Sequence, residues 1–158
     1  MFIKDCDHIS VAILNNVWTG EWDLKDDNIH NPLACTIHSR EDAYKIISDF
    51  CKKETDYVFL VFDTPGGVRA FCVSHSMEPT SWESFVLHSK LNCDPLFQEL
   101  TYKSKEYTAR VTPKPKRLEQ TGKDYISRKR FVIGKGIILP ELVTEVKLYY
   151  EQVVKNRV

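Results

Sequence analysis

The 158-residue chain lacks most of the features that assign a protein to a class at sight. Its formal net charge is zero and it contains only two methionines and six glycines. No apolar run approaches the ~18–20 residues that cross a bilayer, so no membrane partner is expected. The N-terminus, MFIKDCDHIS, has no basic stretch followed by an apolar one, which argues against a secretory signal. P-loop and dinucleotide fingerprints are missing: Gly134-Lys-Gly136 is too short, and Thr64-Pro-Gly-Gly67 reads as a turn. There is no internal repeat and no low-complexity linker. Cysteine is scarce and odd in number. Cys6, Cys35, Cys51, Cys72 and Cys93 are scattered rather than framed in pairs, so reduced thiols in a cytoplasmic protein are expected.

What is present is an uneven distribution of charge. Residues 1–102 hold 8 Lys/Arg against 16 Asp/Glu, whereas residues 103–135 hold 11 Lys/Arg against 3 Asp/Glu. A basic block in an otherwise acidic chain is the footprint of a polyanion contact, or of a loop that folds onto the protein's own acidic surface. Both readings stay open at this point.

Periodicity predicts one α+β domain over residues 1–158, with a mixed or antiparallel sheet, a central hairpin packed against helices, and a basic loop-rich segment at about 103–135. His8–Leu14 reads as a buried strand, and Asn15–Pro32 as polar and turn-rich with Trp18 and Trp22 as anchors. Ser39-Arg-Glu-Asp42 reads as a capping box opening a helix whose apolar stripe is Ala43, Ile46, Ile47, Phe50 and Cys51. Tyr57–Phe62 and Val68–Val73 form the hairpin, joined by a type II turn at Pro65-Gly66 in which Gly66 takes positive φ. A second capping box, Thr80 to Glu83, predicts a helix with Trp82, Phe85 and Val86 inward. Asp94-Pro95 caps a short helix running to about Tyr102. Tyr107–Thr112 and Arg130–Ile133 read as strands. Pro140 starts a last helix with Leu142, Val143, Val146, Tyr149, Tyr150 and Val153 inward.

Three constellations could carry chemistry. Cys35-x-x-His38 and Cys72-x-x-His75 offer four zinc-type donors, although i and i+3 of a strand face opposite ways and buried thiols are the commoner use of cysteine. Asp5 and Asp7, two apart before a strand, could hold Mg²⁺ with phosphate oxygens, and Asp63 at the hairpin tip could join them; solvated surface acids explain the same residues. Nothing singles out a Ser–His–Asp or Cys–His enzyme, so whether the chain is an enzyme stays open.

The stretch FLVFDTPGGVRAF, residues 59–71, resembles the strand–turn–strand of archaeo-eukaryotic primases and of phage and plasmid primase–polymerases. Asn92-Cys-Asp94 and the segment from Tyr107 to Arg117 resemble that family's downstream Asp and Arg-rich segments, so the likeness covers about a third of the chain. Arg69 stands where the family carries a functional histidine. The family's metal-binding acidic pair lies on a strand before the hairpin, a place only Asp5 and Asp7 are read as filling. The resemblance implies a nucleic-acid-associated protein of phage or bacterial type, a minimal relative with or without catalysis. Arg110, Lys114, Lys116, Arg117, Arg128, Lys129 and Arg130 would contact the phosphates of DNA or RNA, with Arg69 adding a contact at the hairpin and Tyr107 or Tyr125 stacking on a base. The alternatives are an adaptor or inhibitor that meets a protein partner through the acidic two thirds, and a small metal-dependent nucleotidyl-transfer or hydrolytic enzyme.

Overall fold

The FLVF and VRAFCV runs show no polar alternation because the sheet they occupy is covered on both faces. A computed structural model describes residues 1–6, 9–25, 37–113 and 126–157. Seven strands are found among these residues: β1 (Phe2–Cys6), β2 (Ile9–Leu14), β3 (Val17–Asp23), β4 (Phe59–Thr64), β5 (Gly67–Ser76), β6 (Tyr107–Arg110) and β7 (Arg128–Ile133). Four helices accompany them: α1 (Arg40–Lys53), α2 (Trp82–Lys90), α3 (Pro95–Ser104) and α4 (Pro140–Lys155). The strands form two antiparallel sheets, one in the order β1-β2-β6 and one in the order β3-β5-β4-β7. The expected α+β class and central hairpin are therefore found.

Period-2 alternation splits the larger sheet's side chains between two cores. Trp18, Trp22, Phe59, Val61, Val68, Ala70 and Cys72 pack with Ala43, Ile47 and Cys51 of α1 and Leu87 of α2. Their neighbours Val17, Val58, Phe62, Phe71 and Val73 pack on the other face with Leu142, Val146, Tyr149 and Val153 of α4. The smaller sheet joins this second core through Ala12, Leu14 and Ala109. At α1, the Asp42 carboxylate accepts from the backbone N–H of His38 at 2.9 Å and of Ser39 at 3.1 Å. These backbone hydrogen bonds hold its pKa below the ordinary carboxylate value.

Four sequence expectations need correction. β3 lies within the stretch read as turns, and β1 was not expected. Gly66 does not supply the turn's positive φ, since Gly134 is the only glycine in that region among the described residues. Pro65-Gly66 still forms a two-residue loop between Thr64 and Gly67, whose carbonyls, with that of Pro65, accept from the Arg40 guanidinium. The constrained glycine is Gly67, where a Cβ would come within 1.9 Å of the Trp22 carbonyl oxygen.

Helix α2 is also rotated relative to expectation. Its N-cap is Ser81, whose hydroxyl accepts from Ser84 N, rather than Thr80. It buries Ser84, Leu87 and His88, while Trp82 and Phe85 are 75% and 46% exposed. Cys51, Cys72 and Cys93 are buried free thiols; Cys35 and the Cys6 side chain lie outside the description. Among the described residues no helix is long and apolar enough to cross a membrane.

Candidate nucleic-acid interface

Strand β7 is an outer strand of the larger sheet, and its sequence Arg-Lys-Arg-Phe-Val is exposed throughout. It pairs with β4 through a bulge: Phe62 faces Lys129 and Val61 faces Phe131, leaving Arg130 as the extra residue. A bulge breaks strict alternation and re-aims its side chains. Lys129 and Arg130 both border one cleft, Lys129 from the side of Tyr150 on α4 and Arg130 from the side of Asp63 and Phe131.

That cleft lies between β7 and α4 and has a volume of about 440 Å³. Its walls are apolar, including Leu60, Phe62, Val143 and Val146, and its rim carries Lys129, Arg130 and Lys147. Aromatic rings hold the rim in place. The Lys129 ammonium sits 4.7 Å from the Tyr150 ring centre, and the Arg130 guanidinium 5.8 Å from that of Phe131. Phe131 meets Tyr44 edge-on at 4.7 Å. Arg130 Nε lies 3.8 Å from Asp63 Oδ2, a loose contact on an exposed side chain. Among the described residues, neither Lys129 nor Lys147 forms an ion pair. Cations around an apolar, aromatic-flanked cleft can hold a nucleic-acid backbone at the rim and an unstacked base within.

Of the other expected phosphate contacts, Arg128 is exposed at the start of β7, opposite Asp63 in register and outside the cleft lining, and the rest do not join this strand. Arg110 is on β6 in the other sheet, its Nε donating to the Thr112 carbonyl at 3.0 Å. Lys114, Lys116, Arg117 and Tyr125 lie outside the described residues. Tyr107 is fully buried and donates to Ser84 Oγ at 2.8 Å, so it is no stacking platform.

Arg69 is the clearest correction. It is 7% exposed, on the α4-facing side of β5. Its Nε and one Nη donate to Glu21 Oε1, the Nε contact being 2.7 Å; the other Nη donates to the Tyr149 hydroxyl at 2.8 Å. The Tyr149 hydroxyl meets Ser127 Oγ at 2.9 Å. Burial would lower the Arg69 pKa, but the Glu21 carboxylate and the Tyr149 hydroxyl outweigh it and raise the pKa above its ordinary value. This guanidinium is an internal partner, not a phosphate ligand.

Comparison with protein-family models, with characterised proteins and with solved structures finds no match.

The expected Mg²⁺ ligands do not assemble. Asp5 is on β1 of the smaller sheet and accepts from the Ser10 hydroxyl, whereas Asp63 is on β4 of the larger sheet and accepts from the Tyr44 hydroxyl. Asp7 lies outside the described residues. Carboxylates two apart on a strand beside the hairpin do exist, on β3. They are Glu21 and Asp23, opposite Arg69 and Gly67 in register, and the sequence reading missed them by taking this stretch for turns. The Trp22–Trp18 alternation was the signal that could have found them. Glu21 is committed to Arg69, so the pair does not fit a metal.

Of the expected zinc donors, Cys35 lies outside the described residues, and Cys72 and His75 are not disposed as ligands. Cys72 is fully buried, and burial raises its thiol pKa. His75 uses both ring nitrogens, toward Ser74 Oγ at 2.8 Å and Asp56 Oδ2 at 3.1 Å. Among the described residues no three His, Cys, Asp or Glu side chains cluster as a metal site would require.

Proposed function

We propose that this chain is a nucleic-acid-binding domain that holds a single strand of DNA or RNA in the cleft between β7 and α4. The observation carrying the proposal is the cleft's composition: Lys129, Arg130 and Lys147 border an apolar floor between an outer strand and α4. Phosphates sit at the rim and a base enters the cleft, an arrangement indifferent to sequence. In this reading the chain is a binding relative of primase–polymerases rather than a catalytic one. Arg69, read as standing where that family carries a histidine, is held inside the fold by Glu21, which leaves it no catalytic role.

The test is fluorescence anisotropy of a labelled single-stranded oligonucleotide across a salt series. Three neutralised phosphates predict a log–log slope of about −2 for a single strand, steeper if further cations engage. Binding that is insensitive to salt, or absent at low salt, contradicts the proposal and leaves the acidic surface as the more productive place to look.

A further inference from the structure

The exposed aromatic face of α2 is unexplained by nucleic-acid binding, because α2 packs under β3 at the far side of the larger sheet from β7. Trp82 is 75% exposed, Phe85 46% and, across a groove on α3, Tyr102 60%. The rings of Trp82 and Phe85 stack on each other, with centroids 5.4 Å apart and planes 20° apart. The groove they share with Tyr102 has a volume of about 680 Å³ and is also lined by Ser81, Ser89 and Gln98. Trp82 additionally walls a smaller cleft with Phe50, Tyr57 and Glu83, so it stands as a ridge between two depressions.

We propose that this face pairs with the same face of a second copy of the chain, α2 running antiparallel to its counterpart, with Trp82 of each copy seated in the other's groove. Two observations bear on the partner: the first selects a second copy, and the second sets the scale of the contact.

The first is charge. Glu83 and Lys90 are exposed, seven residues apart on one side of α2, and neither is in an ion pair among the described residues. A two-fold axis near Val86 sets Glu83 of each copy against Lys90 of the other, which is the self-complementarity an isologous contact requires. On α3, Glu99 and Lys103 already pair with each other at 2.6 Å and add no net charge.

The second is area. Taking roughly 150–250 Å² for each aromatic side chain, the three rings expose about 400 Å² per copy. That is about half of the roughly 800 Å² a standard interface buries per partner, before any polar rim is added. Trp and Tyr at the centre of a contact are also the residues that most often dominate its energetics.

The experiment is sedimentation equilibrium from low-micromolar to several-hundred-micromolar protein. A reversible monomer–dimer equilibrium is expected in the parent. Trp82→Ala weakens it at least about tenfold, as loss of a central aromatic anchor does. Glu83→Lys also weakens it, and the double variant Glu83→Lys/Lys90→Glu restores it, because the exchanged charges again meet across the axis. These side chains are exposed, so melting of the dilute variants stays unchanged; if Trp82→Ala does not fold, the charge-swap pair decides alone. A parent that stays monomeric throughout overturns the proposal. So does a dimer indifferent to Trp82→Ala, or a double variant no tighter than Glu83→Lys.

Discussion

Arg69 and the Lys129–Arg130 pair are all cationic and all on the larger sheet, yet their surroundings give them opposite uses. Arg69 lies on a regular stretch of an inner strand, under α4, with its charge spent on Glu21 and its donors on Glu21 and Tyr149. Lys129 and Arg130 lie exposed on an outer strand at a bulge, each against an aromatic ring, with Arg130 in only a loose contact with Asp63. Position in the sheet, rather than residue type, separates a cation that holds the fold from cations that can meet a ligand.

The comparison breaks most sharply by removing the inner cation. Arg69→Ala leaves the partly buried Glu21 carboxylate, 21% exposed, without its partner, and about 3 kcal/mol of stability, the low end for a buried pair, should be lost in urea unfolding. Replacing both partners, Glu21→Met with Arg69→Met, should cost far less, because no unpaired charge stays buried. Equal losses in the single and double variants would mean that the pair does not act as a unit.

The interior also holds a titratable group kept neutral. His88 is 2% exposed, lies against Trp18 with ring centroids 4.7 Å apart, and donates from Nε2 to the Thr19 carbonyl at 2.8 Å. Burial pushes its pKa down to about 4, against hydrogen bonds to Thr19 and Ser84 that raise it. The unfolded chain, titrating near 6.5, therefore binds the proton first as pH falls. Stability is complete above that value and is lost progressively down to about pH 4, by roughly 3 kcal/mol in all. A His88→Gln variant should show a flatter pH profile over this window in thermal melts.

Gly67 and Gly66 sharpen the inner–outer contrast at the level of backbone. Gly67→Ala drives a Cβ into the Trp22 carbonyl and should cost about 1–3 kcal/mol. Gly66→Ala, with no positive φ to satisfy, should cost less. Equal melting temperatures for the two variants would contradict the close β3–β5 approach.

The hairpin was legible in the sequence because its two apolar runs have no other stable use than a sheet covered on both faces. The α1 stripe and the Asp94-Pro95 cap were legible because their signals are local. β3 was obscured by its own composition: Thr19, Gly20 and Glu21 look like turn residues until Trp18 and Trp22 are seen on a single face. Gly20 is small there because a Cβ would lie 2.3 Å from the Trp18 ring. In α2 the local capping signal found the helix but not its buried face: Ser84, Leu87 and His88 pack inward, and Trp82 and Phe85 do not. The candidate site was legible only in part. A run of cations marks Lys129 and Arg130, but Lys147 belongs to α4 and joins them only through the fold. The Glu21 partner of Arg69 is 48 residues away in the chain, a separation no local pattern reports.

Charge reversal on the outer strand should leave stability almost untouched. Lys129→Glu with Lys147→Glu alters exposed side chains and should change stability by no more than about 0.5 kcal/mol. Single-stranded oligonucleotide affinity, measured at one low salt concentration for this double variant and for Glu21→Met/Arg69→Met, tests the separation of roles directly. The account predicts that the outer reversal abolishes binding while the inner replacement binds as the parent does. Binding that survives the outer reversal, or that disappears with the inner replacement while the fold persists, would contradict it.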